Sequence, residues 1–396
     1  MLSVAEARAR VLSLVRPMAG EPVALTEAAG RVLAAPARAA RAQPPFAASA
    51  MDGYAVRAAE AAAGARLRLA GEAAAGHASA DALPPGAAMR IFTGAPVPAG
   101  ADSILIQEDA RAAEGAVEVV TPPDPGAYIR PAGGDFPAGH ALAAPRRLGP
   151  SEIALLAAMN CAEVTVARRP VVALIPTGDE LVLPGETPAA DQIVASNNFG
   201  LAALLARAGA EPRLCPIARD NRASLLAALE AAKGADMVVT LGGASVGDHD
   251  LVAAVFGDAG LSLDFYKIAM RPGKPLMAGR IGTMAMLGLP GNPVSALVCG
   301  HLFVVPAVER ALGLDGAPPV PRPARLATDE PANGPREHYM RARLDWATEG
   351  LPLAHVAENQ DSSLLSVLAD ADALVIRAPR APAAPAGSLV EYLPLT

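Results

Sequence analysis

Five carboxylates in the middle of the chain are the side chains best placed to do chemistry. Asp179, Glu180, Asp220, Asp248 and Asp250 all follow short apolar runs of strand length. If those runs are parallel strands of one sheet, their carboxyl ends share one edge, where such sheets bind ligands. Carboxylates gathered there need a cation, and Mg²⁺ suits them because it takes oxygen ligands and often bridges to phosphates. The spacing therefore predicts a magnesium site at this edge.

Basic residues and glycines in the same region point to an anionic ligand. Gly242 and Gly243 end one apolar run, and Lys267, Arg271 and Lys274 follow further along the chain. Glycines allow a backbone to approach an anion closely and to donate its N–H groups. Together with the carboxylates, these residues predict a phosphorylated ligand that binds with Mg²⁺.

Each of these signals has a structural alternative. Asp220 and Asp250 could simply cap helices, because aspartate is a favoured N-cap residue. The pair Gly242-Gly243 could be a tight turn, since it lacks both the GxGxxG and the GxxxxGK[ST] pattern. Lys267 and Arg271 could be solvated surface charges.

Other chemistries have less support. None of the six histidines lies in an HExxH or other zinc-ligand spacing, and no GxSxG motif occurs. Cys161, Cys215 and Cys299 are far apart and lack CxxC spacing, which favours buried free thiols in a reducing compartment. We therefore expect a cytoplasmic protein without a zinc or disulfide framework.

The composition limits the kinds of partner that the chain is expected to bind. The net charge is −7 and aromatic residues make up 3%, so neither a basic footprint nor a stacking surface for nucleic acid is expected. The apolar share of 52% suits a folded globular chain. An uncharged stretch runs from Arg280 to Glu309, but Pro290-Gly291-Asn292-Pro293 interrupts it. This stretch favours a strand, a turn and a buried helix over a membrane span, with Asn292 as the N-cap.

The elements that would position these residues alternate between strand and helix. We predict strands at Val171–Ile175, Arg213–Ala218, Met237–Leu241 and Thr283–Leu287. The predicted helices are Asn197–Ala208, Arg222–Lys233, Asp250–Phe256 and one that begins at Pro293. Continuous apolar strands that alternate with helices indicate a parallel sheet covered on both faces.

The flanking regions differ in character. Ser3 and Glu6 form a capping-box pattern that predicts a helix at the start of the chain. Short apolar runs between Ala47 and Ala138 predict a β-rich region, and Ser151 is the expected cap of a helix that ends near Met159. After a proline-rich linker at 316–323, the tail is predicted to be a small β domain. Its expected strands are Tyr339–Leu344, Ala373–Ile376 and Leu389–Leu393.

Five motifs, in order along the chain, resemble those of the molybdopterin molybdenumtransferase family, which includes the C-terminal domain of gephyrin. They are Ser49–Arg57 (SAMDGYAVR), Arg90–Gly94 (RIFTG), Thr177–Leu181 (TGDEL), Gly242–Asp248 (GGASVGD) and Leu289–Ser295 (LPGNPVS). The resemblance implies a multidomain α/β fold with a central doubly wound molybdopterin-binding domain. It is strongest from Pro45 to about Pro306.

The resemblance also implies a domain plan. Residues 1–44 and 139–167 would form one elongated helical N-terminal domain, with 45–138 inserted as a β-rich domain. Residues 168–317 would form the α/β domain, and 318–396 the C-terminal β domain. The family is homodimeric, and each active cleft is expected to combine the α/β domain and tail of one subunit with the inserted domain of the other.

The implied reaction takes adenylyl-molybdopterin and molybdate to molybdenum cofactor with release of AMP and with Mg²⁺. An adenylyltransferase would supply the substrate, and maturation proteins of molybdoenzymes would receive the product. The metal ligands implied by position are Glu180, Asp220 and Asp250. The remaining implied site residues are Asp52, Thr93, Asp135, Gly242, Gly243, Ser245, Lys267, Arg271, Lys274, Pro290, Gly291, Asn292, Pro293, Arg341 and Ser362.

Some positions depart from the family pattern, and rival functions stay open. Ala47-Ala48, Ala195, Leu241 and Arg271 stand where the family commonly has other residues. A non-catalytic module that binds molybdopterin or clusters partners is one alternative. A nucleotide phosphohydrolase on a similar sheet is another. The presence of all the principal carboxylates favours the transferase over a scaffold.

Overall fold

The structure is a computed structural model that describes residues 1–76, 81–243, 251–346 and 350–395. The chain divides into two compact units, residues 1–21 with 167–396, and residues 22–166. Ser245, Asp248 and Asp250 lie outside the described residues, so the predictions made for them stay predictions.

A six-stranded sheet is the centre of the first unit. Its strands, in spatial order, are Glu211–Leu214, Val171–Pro176, Met237–Leu241, Met284–Leu289, Met277–Ile281 and Leu261–Tyr266. The first four are parallel, as predicted, and the last two are antiparallel. The two antiparallel strands were not predicted, because neither is a continuous apolar run in the sequence. The edge strand Leu261–Tyr266 exposes several of its side chains, and Met277–Ile281 contains Gly279 and Arg280.

Two predictions on one side of this sheet were wrong. The strand predicted at Arg213–Ala218 is Glu211–Leu214, and it ends just before Cys215-Pro216, where proline has no N–H for a ladder bond. The following helix, Arg222–Ala231, is capped by Asn221, whose side chain accepts from the Ser224 N–H. Asp220 is therefore not the helix cap.

Helices cover the sheet. They are Asn197–Ala208, as predicted, with Arg222–Ala231, Leu251–Asp258, Pro293–Cys299 and Val305–Ala311. Gly300–Val304 between the last two is π-helical. Pro306 lacks the N–H that would bond the Leu302 carbonyl, which accounts for a wider turn here. The run Pro293–Ala311 is long and apolar enough to span a membrane by composition, but 72% of it is buried, as a core helix would be.

The other elements of the first unit precede or follow the six-stranded sheet and its helices in the sequence. The helix Val4–Ser13 begins with the predicted capping box, in which Ser3 and Glu6 satisfy each other's backbone N–H. The tail forms a closed sheet around its own core, and all three strands predicted in it are present. Its strands are Met270–Arg271, Glu337–Asp345, Leu353–Val356, Arg322–Leu326, Leu389–Pro394 and Ala373–Arg377. The tail also contains the helix Leu365–Ala369. A separate pair of short strands, Leu181–Val182 and Ile193–Val194, belongs to the same unit.

The second unit is rich in strands, as predicted. Its main sheet consists, in order, of Ser103–Ile106, Gly53–Val56, Ala87–Ile91, Arg66–Ala73, Ala116–Val119 and Ala110–Ala113. Smaller sheets contain Gly20–Ala24, Glu163–Ala167, Val32–Leu33, Arg146–Arg147, Ile129–Arg130, Ala48–Ser49, Ala141–Leu142 and Ala37–Arg38. Short 3₁₀ turns occur at Leu25–Glu27, Ala58–Glu60 and Gln107–Asp109.

Segments on both sides of the β-rich region share one small sheet. Val32–Leu33 pairs with Arg146–Arg147 and with Glu163–Ala167. This pairing agrees with a discontinuous domain, although the four-domain bounds stay a prediction. The helix here is Pro150–Ala158, and its first residue is preceded by Gly149, whose N–H is bound by the Glu152 carboxylate. The expected cap, Ser151, was therefore wrong.

Candidate functional site

A cavity of about 480 Å³ lies at the carboxyl ends of the parallel strands. Its walls come from four parts of the chain. The strand Val171–Pro176 continues into Thr177 and Glu180, and the helix Asn197–Ala208 begins at another wall. Gly291–Pro293 and the tail residue Ser363 complete it. The predicted rim of the sheet thus does form a pocket.

Close packing explains two of the predicted glycines, Gly242 and Gly243. A Cβ on Gly242 would lie 2.6 Å from the Thr177 carbonyl oxygen, whereas one on Gly291 would make only an ordinary contact, 3.5 Å from the Gly242 Cα. Gly242 also has a φ of +104°, where side chains are disfavoured. A Cβ on Gly243 would lie 2.3 Å from Val252 Cγ2. Both glycines thus serve as a tight turn, and contact with an anion stays a prediction.

Glu180 is the carboxylate that reaches this cavity. Its carboxyl oxygens lie directly over Gly178, where an added Cβ would be 2.2 Å from Oε2. Gly178 has a φ of +144°, so the loop turns sharply and places Glu180 on the wall. Asp179, one residue earlier, accepts the Asp220 N–H at 3.0 Å through Oδ1. Asp220 is therefore tied to the Glu180 loop, although it is not among the residues that line the cavity.

Arg219 organises this loop, and the sequence analysis missed it. Its Nη1 donates to the carbonyl oxygens of Gly178, Asp179 and Leu181 at 3.3, 3.0 and 2.9 Å. The positive guanidinium thereby lies beside the carboxylate-bearing segment. Its position directly after a predicted strand, next to Asp220, was the available signal.

The three predicted cations do not line this cavity. The Lys267 ammonium lies 5.0 Å from the ring centroid of Tyr266, and the Lys274 carbonyl accepts the Ile268 N–H. Arg271 pairs with the tail strand Glu337–Asp345, which directs it to a second cavity of about 750 Å³. The structure therefore does not bring these three cations into the pocket that Glu180 lines.

The second cavity lies against the tail. Its walls include the buried His338 and Arg377 and the exposed Arg271. Burial, together with the positive charges of the nearby Arg271 and Arg336, lowers the pKa of His338 to about 4. A neutral His338 is therefore expected at physiological pH, and it can donate or accept a hydrogen bond without adding charge.

Arg341 holds a loop rather than facing a ligand. It is 1% exposed and donates from Nε to Gln360 Oε1, from Nη1 to the Leu364 carbonyl and from Nη2 to the Asn359 carbonyl. Burial lowers its pKa. The role predicted for it at the molybdate end is therefore corrected to a positioning role, because its donors are directed at protein acceptors.

The loop that Arg341 holds reaches the first cavity through Ser363, and the neighbouring Ser362 contacts the cavity residue Asn292. The Asn292 amide donates to Ser362 Oγ at 2.8 Å, and the Val294 N–H donates to the Ser362 carbonyl at 3.1 Å. Asn292 occupies the N-cap position and Pro293 the first helical position, as predicted, but the Asn292 side chain does not cap the helix. The Asn197 amide donates to the Gly291 carbonyl at 2.6 Å, which ties a second wall to this turn.

The predicted residues of the second unit form their own cluster. Asp52 Oδ1 accepts the Thr93 N–H at 2.7 Å and the Thr93 hydroxyl at 2.8 Å. These bonds lower the pKa of Asp52. The Arg90 guanidinium stacks beside them, 4.9 Å from the Phe92 ring centroid. Asp135 lies in a separate turn, where its N–H donates to the Gln43 carbonyl.

The domain that contains the first cavity matches a known class of α/β proteins. Residues 173–310 match the family described as a probable molybdopterin binding domain. Residues 2–160 match the MoeA N-terminal region, domains I and II, and residues 323–395 match the MoeA C-terminal region, domain IV. The three matches follow one another and cover most of the chain.

Whole-chain relatives agree with this class. A molybdopterin molybdenumtransferase of Nostoc sp. is 39% identical and covers 90% of this chain and 84% of its own length. That of Bacillus subtilis is 34% identical, with coverage of 95% and 90%. A crystal structure of the molybdopterin biosynthesis MoeA protein from Pyrococcus horikoshii matches with a TM-score of 0.85 at 32% identity, covering 100% of this chain and 99% of that one. The chain belongs to the molybdopterin molybdenumtransferase family.

Proposed function

We propose that this protein inserts molybdenum from molybdate into adenylyl-molybdopterin, with release of AMP and with Mg²⁺. Family membership supports the reaction. The cavity at the sheet edge is the observation that carries it, because Glu180 reaches the same pocket as the turn Gly291–Pro293 and the tail. The relatives are named as transferases, which does not favour a purely scaffolding role.

The side chains around the cavity suit magnesium better than a softer metal. Glu180 offers carboxylate oxygens on the cavity wall, and Asp220 offers others from the segment bonded to the Glu180 loop. Mg²⁺ typically takes one or two carboxylates with water and substrate phosphates. Within the described ranges, no three His, Cys, Asp or Glu side chains form a ready-made metal cage. A site completed by the substrate's own phosphates fits that arrangement. Bound there, Mg²⁺ would neutralise charge that develops on the phosphate oxygens during cleavage.

The chain's own groups would orient the phosphates of the substrate. Ser196, Asn197 and Asn198 line the cavity at the start of a twelve-residue helix. The Ser196 side chain makes no capping bond, so first-turn N–H groups remain to meet an anion. Arg219 and Gly178 hold Glu180 in place, so that the carboxylate need not reorganise when a cation and phosphate arrive.

Molybdate requires a different environment, because it is a dianion. We propose that it enters through the second cavity, where Arg271 and Arg377 lie among the walls. Arg377 is 5% exposed and its Nε finds no acceptor among the described residues, so a donor is available to an oxyanion. Arg271→Met should then raise the molybdate concentration needed for half-maximal insertion and leave AMP binding unchanged.

The decisive experiment is incubation with adenylyl-molybdopterin, Mg²⁺ and molybdate. AMP release and transfer of active cofactor to an apo-molybdoenzyme are followed together. We expect both to require molybdate. Hydrolysis that proceeds without molybdate and yields no cofactor would identify a phosphohydrolase instead, and binding without turnover would identify a scaffold.

Glu180→Ala tests the site within that assay. The variant should fold normally yet lose insertion. Glu186→Ala is the matched control, since Glu186 is an exposed carboxylate in the same segment whose Oε2 accepts a local N–H, that of Leu183. Full activity of Glu180→Ala would remove Glu180 from the site.

We further propose a cytoplasmic homodimer in which Asp52, Thr93 and Asp135 act on the ligand bound by the partner subunit. Separate Asp52→Ala and Glu180→Ala preparations should each be inactive. Mixed after reversible dissociation, they should recover about one quarter of wild-type activity, because half of the dimers are mixed and each has one intact cleft. No recovery in dimers shown to be mixed would place both residues in one subunit's cleft.

A further inference from the structure

Asn198 is a cavity residue that neither the motifs nor the proposed metal site uses. It is the second residue of the helix Asn197–Ala208 and lines the 480 Å³ cavity. Its relative exposure is 2%, and its side-chain Oδ1 has no hydrogen-bond partner among the described residues. Asparagine is a weak helix former and a costly residue to bury unpaired, so packing does not account for it here.

The neighbouring amides show the contrast. Asn197 donates to the Gly291 carbonyl and Asn292 donates to Ser362 Oγ, so both tie walls of the cavity together. Asn198 is the one cavity asparagine whose amide the structure leaves without such a bond among the described residues. Rotation about its Cβ–Cγ bond is soft and can present either the oxygen or the nitrogen to the cavity.

The chemistry of an amide selects its ligand. A carbonyl oxygen accepts hydrogen bonds and gains nothing from a phosphate, which offers acceptors only. It does suit a ring edge that carries N–H donors next to a carbonyl acceptor. Pterins have such an edge in their 2-amino-4-oxo-pyrimidine ring, and adenine offers a similar donor beside a ring nitrogen.

We propose that Asn198 reads the aminopyrimidinone edge of the pterin, accepting a ring N–H and donating to the ring carbonyl. This inference rests on the proposed function. It assigns ligand specificity to a single side chain in the wall made by the start of the helix. A site built to pair with N–H groups discriminates strongly against analogues that lack them.

The test compares Asn198→Leu with Thr240→Val. Thr240 is also fully buried with an unpartnered side-chain oxygen, but it is not among the residues that line the cavity. Removal of an unpaired buried polar group should leave both variants at least as thermally stable as wild type. Binding of metal-free molybdopterin and of AMP is then measured separately by calorimetry.

We expect Asn198→Leu to weaken molybdopterin binding at least tenfold and AMP binding less than twofold, with both unchanged in Thr240→Val. Asn198→Ala, which cannot overfill the wall, should behave like Asn198→Leu. Unchanged molybdopterin binding, or a loss confined to AMP, would overturn the inference. Failure of the wild-type protein itself to bind molybdopterin would instead reject the proposed function, and the role of Asn198 with it.

Discussion

The carboxylate of Glu180 rests on the bare Cα of Gly178, two residues earlier in the same loop. A methyl group there would lie 2.2 Å from Oε2, and the φ of +144° at Gly178 disfavours any side chain. The glycine therefore both shapes the turn and leaves room for the acid. Glu180 can occupy its place in the cavity wall because Gly178 has no Cβ.

Gly178→Ala should therefore displace Glu180 and lower the insertion rate at least tenfold. Strain of this kind also costs about 1–3 kcal/mol of stability. Gly185→Ala is the matched control, because Gly185 has a φ of +95° but no atoms within 4 Å of an added Cβ. Thermal melts and AMP-release assays on both variants separate the effects. Equal loss of activity in the two would show that backbone strain, and not the carboxylate, is responsible.

Arg341→Ala should act on stability before it acts on chemistry. The variant strands the Leu364 and Asn359 carbonyls that Arg341 now binds. Loss of a hydrogen bond from a charged group costs about 1.5–3 kcal/mol, so the free energy of unfolding should fall by about that much. Arg343, two residues along the same strand, is exposed, and Arg343→Ala should change stability by less than about 0.5 kcal/mol. Urea unfolding measures both, and similar values would contradict the positioning role.

Asp52 should give the second unit a pH-dependent contribution to stability. Thr93 lowers its pKa in the folded state, so folding favours the ionised carboxyl. That contribution is present above the pKa of the unfolded chain and is lost as the pH falls below about 4 and through the folded pKa. Asp52→Asn keeps an acceptor oxygen but removes the charge.

The measurement is thermal unfolding of wild type and Asp52→Asn between pH 3 and 7. The wild-type protein should be more stable near neutrality, and the gap should close towards pH 3. Glu114→Gln removes an exposed carboxyl elsewhere in the same unit and should show a smaller gap. A gap for Asp52→Asn that does not depend on pH would mean that geometry, not ionisation, stabilises the Thr93 contact.

Arg219→Lys should loosen the Glu180 loop while keeping a positive charge. The single nitrogen Nη1 reaches the carbonyl oxygens of Gly178, Asp179 and Leu181, and it lies one bond further from the backbone than a lysine ammonium would. We expect hydrogen exchange of the loop to accelerate and the Mg²⁺ concentration for half-maximal activity to rise several-fold. Arg213→Lys, at an exposed carbonyl contact elsewhere, is the control. Unchanged exchange in Arg219→Lys would show that charge alone is sufficient.

Sequence patterns located the sheet well because buried strands and amphipathic helices leave periodic signals. Met237–Leu241 and Asn197–Ala208 match the prediction to the residue. The edge strand Leu261–Tyr266 was missed because exposed strands carry no such signal. Asp220 was mistaken for a possible cap because Asn221, beside it, is an equally good one.

The site was harder to predict, since long-range contacts decide which side chains share a pocket. The motifs indicated Glu180 and the turn that contains Gly291–Pro293, and both line one cavity. They did not indicate that Arg271 pairs with a strand of the tail. Nor did they indicate that the Arg341 guanidinium donates to groups of the protein itself, such as Gln360 Oε1. Arginines look alike in sequence, and only packing distinguishes one that binds a ligand from one that holds a loop.

The bond between Asn292 and Ser362 joins positions 70 residues apart. During synthesis, the strands and the glycine turns around the pocket are all made before the segment that closes it. Among the residues that line the cavity, Ser363 and Leu365 are therefore the last to be synthesised. The pocket is complete only once their segment has folded against the turn at Asn292.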